Sequence, residues 1–111
     1  MMNFNDYQIL ARRTSKFKLG ESIRENVLMA ALGLSGEVGE LNDNIKKMFY
    51  HQHPTSRIDI EAELGDILWY LSEMAYAFNF NLQDIASNNI RKLERRYPSG
   101  FSVEDSLDRK E

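Results

Sequence analysis

Cysteine is absent from this chain, which removes both a disulfide framework and thiolate metal sites and makes a reducing cytoplasm the expected setting. Proline occurs only twice, at Pro54 and Pro98, so long helices can run uninterrupted between these points. No apolar run approaches the roughly 18 residues of a membrane-spanning helix, and no membrane partner is expected. The opening MMNFNDYQILARRTSKFK lacks the basic-then-apolar order of a secretory signal. Net positive charge is lacking too: a formal charge of −3 argues against bulk nucleic-acid binding. There is no strand-like alternation, no low-complexity segment, and no E-x-x-H pairing of the kind di-iron bundles use.

The remaining composition is that of a soluble globular protein. The 111 residues are 42% hydrophobic and 28% charged, enough for about one domain with a real core. The pattern predicts an all-α chain in which one domain spans 1–111. Helices are expected over about 3–17 (capped by Asn3 or Asn5), 27–50, 58–78 (capped by Thr55 or Ser56) and 82–97. Residues 18–26 have turn composition, HQHPTSR breaks the chain at 51–57, and 98–111 reads as a C-terminal arm. Helices joined by short loops imply an antiparallel four-helix-type bundle. Exposed aromatics such as Phe4, Phe49, Tyr50, Tyr76 and Phe80 imply that a second subunit completes it.

One short motif is written twice. Residues 36–41 read GEVGEL and 62–67 read AELGDI, so each predicted helix carries an acid pair spaced i, i+3 on one face. With Glu37 set at zero on the second helix, Leu34, Val38, Leu41, Ile45 and Met48 fall between about 20° and 100°. Glu40, Asn44 and Lys47 fall between about 280° and 340°. With Glu63 at zero on the third helix, the apolar residues occupy the same arc, while Asp66 and Tyr70 lie at about 300° and 340°. Antiparallel packing of the two apolar faces then brings four carboxylates together. Gly36, Gly39 and Gly65 are expected to admit a close backbone or ligand, since glycine costs about 1 kcal/mol in a helix interior.

Clustered carboxylates repel: two charges about 5 Å apart cost roughly 3 kcal/mol at an effective dielectric near 20. A hard divalent cation removes that penalty, and an all-oxygen set favours Mg²⁺, Mn²⁺ or Ca²⁺ over zinc. Magnesium shares its shell readily with phosphates, which makes a nucleotide-type ligand the leading expectation. On single spacings alone, acid pairs are common on solvated helix faces, and the duplication is what lifts this pair above that background. His51 and His53 form an H-x-H beside Pro54, away from the acid strips, and are not expected to bind metal.

Glu37-x-x-Glu40, followed after 22 residues by Glu63-x-x-Asp66, resembles the MazG-like all-α nucleoside triphosphate pyrophosphohydrolases. The likeness extends to the Tyr7-Gln8 to Thr14 start, GLSGEVGELNDNIKK, ELGDILWYL and NIRKLERRYPSGF, covering roughly residues 4 to 101. Many members carry a further Glu where this chain has Gly36 and Ala62. The resemblance implies Mg²⁺-dependent (Mn²⁺ also serving) hydrolysis of a nucleoside triphosphate, a dNTP by preference, to monophosphate and pyrophosphate. It implies metal ligation by Glu37, Glu40, Glu63 and Asp66, a homodimer or homotetramer, and a role in clearing surplus nucleotides. A carboxylate that helps deprotonate water is expected at Glu37 or Glu40. Asn89 and Lys92 match positions that contact sugar or phosphates, and Arg96 shares their face of the fourth helix. Lys47 is a second phosphate candidate, Tyr70 a base or sugar contact, Phe17 part of a base pocket, and Trp69 a core or interface residue. Two rival readings are a phosphoribosyl-ATP pyrophosphohydrolase and a helical interaction module whose acids are only surface.

Overall fold

Asn3 starts the first helix by a reciprocal cap. Its side chain accepts from the Asp6 N–H at 2.9 Å while the Asp6 carboxylate accepts from the Asn3 N–H at 3.1 Å, satisfying two otherwise orphaned amides. The computed structural model describes residues 1–16, 22–54 and 56–109; Phe17 and Thr55 lie outside them. Helix α1, Phe4–Ala11, is shorter than the periodicity predicts. It tightens into a 3₁₀ turn over Arg12–Thr14, where the Thr14 hydroxyl donates to the Ala11 carbonyl and competes with the helical pattern.

Helix α2 runs Ile23–Tyr50, so it begins four residues earlier than the expected start at 27, with Glu25 in its first turn where the helix dipole favours an acid. It stops because Gln52 adopts a left-handed φ of 53°. That turn lets the N–H groups of His51 and His53 both return to the Lys47 carbonyl. Helix α3, Arg57–Ala77, is opened by a second reciprocal cap between Ser56 and Asp59. It closes on left-handed Asn79 (φ 60°), with the Phe80 N–H on the Ala75 carbonyl at 2.7 Å and the Asn79 N–H on Tyr76 at 2.9 Å. Asn81 caps α4, Leu82–Arg96, by accepting from the Asp84 N–H. The tail turns at Gly100, where φ is 87°, and forms a short α5, Val103–Leu107, capped by Ser102.

α2 and α3 form an antiparallel hairpin, while α1 and α4 sit with α3 instead of closing around α2. Three ties hold α1 to this frame. The Gln8 amide donates to the Phe80 carbonyl at 2.9 Å and accepts from the Leu82 N–H at 3.0 Å. The Trp69 indole N–H is shared between the Ala11 carbonyl and the Thr14 hydroxyl, each at 3.1 Å. The Arg12 guanidinium meets the fully buried Glu73 carboxylate at 2.9 Å and lies over the Tyr76 ring, 3.8 Å from its centroid.

Among the described residues the only fully buried apolar side chains are Ala30, Ala75 and Leu82. The radius of gyration is 17.2 Å, against about 13 Å for a compact chain of this length. Much of the apolar surface therefore faces outward, including Val38, Ile45, Phe49, Ile58, Leu64 and Leu71 along the hairpin. Among the described residues no helix is long and apolar enough to cross a membrane.

Candidate metal centre

The hairpin register sets the site. One turn after Gly33 on α2 comes Glu37, and one turn before Tyr70 on α3 comes Asp66; three residues further in each direction lie Glu40 and Glu63. Gly33 and Tyr70 touch. A Cβ on Gly33 would collide with three ring carbons of Tyr70, so the aromatic ring rests on bare α2 backbone. At Gly36, Gly39 and Gly65 an added Cβ would meet nothing within 4 Å. The close approach within this chain falls at Gly33, which no acid adjoins, and not at those three glycines.

Carboxylate oxygens of Glu37, Glu63 and Asp66 all lie within 4.8 Å of one another. Glu37 and Glu63 are half-buried, and each keeps one Oε2 out of solvent without a hydrogen-bond partner. Such orphaned acceptors are costly unless something electropositive fills the gap. Glu37 is pushed up to about 7, first by burial, then by the adjoining Glu63 carboxyl, then by the charges of Glu40 and Asp66. Glu40 is exposed and its oxygens stay outside the convergent three, although its charge reaches Glu37. An all-oxygen cradle with unpaired lone pairs and crowded negative charge has the donor chemistry of a hard divalent cation.

Lys47 Nζ is held at 2.8 Å by Asp43, which also takes Lys46 at 3.2 Å; both lysines keep the Asp43 carboxyl below its usual range. Tyr70 is half-buried, with Trp69 edge-on at 5.0 Å between centroids. Asn89 is exposed and Lys92 and Arg96 are half-buried on α4. Among the described residues no hydrogen bond or ion pair links Asn89 or Lys92 to the four acids. His51 and His53 stand edge-to-face at 6.2 Å and join no group of metal-ligating side chains among the described residues.

Two features escaped the sequence reading. Glu73 continues the acid edge of α3 at about 280° on the same wheel, yet it is a buried ion-pair partner; a glutamate inside LSEMAYAF was the available signal. Tyr7 borders the site: burial, and then the charges of Asp66 and Glu73, push its hydroxyl above the ordinary value.

Residues 25–101 match the MazG nucleotide pyrophosphohydrolase domain. The chain is also 31% identical over 106 residues to the gene 37 protein of Mycobacterium phage L5, a match spanning 89% of this chain and 92% of that protein. No solved structure matches.

Proposed function

We propose that this chain, which belongs to the MazG nucleotide pyrophosphohydrolase family, hydrolyses a nucleoside triphosphate, by preference a dNTP, to the monophosphate and pyrophosphate. The observation that carries the reading is the convergence of Glu37, Glu63 and Asp66 with two orphaned oxygens. These residues would hold Mg²⁺ or Mn²⁺, with Glu40 bordering the site as the fourth acid. When bound, the cation supplies neutralising charge to the phosphates and a more acidic water.

The chain's own residues do the rest. Glu40, one turn from the convergent three and open to solvent, accepts the proton of the attacking water. Attack forms one new P–O bond and breaks the α–β anhydride, releasing pyrophosphate. Lys92, Asn89 and Arg96 receive phosphate and sugar oxygens, and Lys47 can do so by exchanging its Asp43 contact. A homodimer or homotetramer covers the apolar hairpin face and brings a second copy's helices towards the acids.

The test is pyrophosphate release from each common NTP and dNTP, and from phosphoribosyl-ATP, with Mg²⁺ and with EDTA. Metal-dependent release is expected from one or a few dNTPs. Silence across the panel, with no Mg²⁺ effect on melting temperature, defeats the reading in favour of a non-enzymatic interaction module.

A further inference from the structure

The contact between Gly33 and Tyr70 lies where side-chain size on α2 limits how closely α3 approaches. The ring occupies the volume that any Cβ at position 33 would need, and Trp69 packs perpendicular to it with 5.0 Å between centroids. Trp69 is itself fixed through its N–H to the end of α1. The Tyr70 ring thus cannot swing aside freely, and α2 is located against it. Glu37 and Asp66 are the next residues on this face in the two helices, one turn away.

Tolerance at the acids is small. Their oxygens lie within 4.8 Å of one another, and oxygens bound at about 2.0–2.1 Å to one octahedral Mg²⁺ lie no more than about 4.2 Å apart. A slip of one helical turn is about 5.4 Å and would dissolve the cradle. Even a shift of about 1 Å exceeds the distance over which such a site stays preorganised. Val38, Leu64 and Leu71 along the seam are all substantially exposed, so the ring-on-glycine fit, one turn from the acids, adds a specific steric restraint to the general packing of α2 on α3.

We propose that Gly33 and Tyr70 are positioning residues: ring-on-glycine packing pins the α2–α3 register and thereby holds Glu37 against Glu63 and Asp66 in cation-binding geometry. This rests on the cation reading of those acids, and its test separates the two. The chain lacks cysteine, so paired spin labels can be placed uniquely at Asn42→Cys and Glu61→Cys. Their distance distribution reports the register with no cation present. Mn²⁺ binding to the unlabelled protein reports the site.

Gly33→Ala is expected to displace or broaden the distance distribution and to weaken Mn²⁺ about tenfold, as loss of an outer-sphere support does. Gly33→Ala with Tyr70→Leu, which makes room for the new methyl, is expected to recover most of both. Ala75→Gly, a change at a buried position near the end of α3, beyond Tyr70 from the acids, should lower the melting temperature and leave Mn²⁺ affinity unchanged. If Gly33→Ala does not fold, Tyr70→Leu alone carries the test, with a broadened distribution and weaker Mn²⁺ binding expected. An unaltered register overturns the proposal, as does an altered register with wild-type Mn²⁺ affinity. Equal weakening by Ala75→Gly also overturns it, because the effect would then be general stability. Absence of Mn²⁺ binding in the wild type, whatever the register shows, removes the cation reading and this inference with it.

Discussion

Glu37 carries two consequences at the scale of single residues. Its folded-state value of about 7 stands above its ordinary 4.5, so between these limits the folded chain binds more protons than the unfolded chain. Its contribution to stability is therefore complete below about pH 4.5 and is lost as pH rises through about 7. Melting in EDTA from pH 5 to 8 should show this decline, and Glu37→Gln should flatten it; an unchanged slope in the variant would show that another group is responsible. Glu40 is the second case. As proton acceptor its replacement by Gln should lower kcat by about 10²–10⁴-fold, the usual range for general base catalysis, with nucleotide binding largely spared. Full turnover in Glu40→Gln would move the role elsewhere.

Helices are positioned by a few polar ties, and the strongest of these is the Arg12–Glu73 pair. Glu73 is fully buried, and its carboxylate takes both hydrogen bonds from Arg12 Nη1, at 2.9 and 3.1 Å. Arg12→Ala would strand that charge and is expected to destabilise the protein by about 3–5 kcal/mol, whereas replacing both partners by Met and Leu should be close to neutral. Denaturant melts of the single and double variants decide this: equal losses would mean that Arg12 acts by packing and not by charge. The starts of α1 and α3 were legible: Asn3 and Ser56 cap as their residue types suggest. The early stop of α1 was not, because it depends on the Thr14 hydroxyl and on where Trp69 draws the chain.

A chain this extended has unfinished business at the scale of the whole molecule. An open groove of about 680 Å³ runs between the two hairpin helices, lined mostly by apolar residues, Ile45, Met48, Phe49, Ile58, Ile60 and Leu64, with Arg57 and Glu61 beside them. Exposed apolar surface of that character normally marks an interface, and a second copy is the expected cover. Light scattering on the eluting protein should give at least a dimer mass. Ile58→Asp should shift the population towards monomer and lower the melting temperature together, since subunit association and folding are linked. A monomeric wild type of undiminished stability would refute this.

The sequence by itself determined the helical class, the approximate extent of four helices and the duplicated acid motif. These follow from local rules: hydrophobic periodicity, capping side chains and i, i+3 spacing act within a few residues of one another. Only the tertiary structure decided that three acids converge while Glu40 stays outside, that Gly33 rather than Gly36, Gly39 or Gly65 meets an aromatic ring, and that Glu73 pairs with Arg12. Each of these depends on the register between helices far apart in the chain. Register is set by contacts between helices, the Gly33–Tyr70 fit among them, and no single helix contains the information to set it.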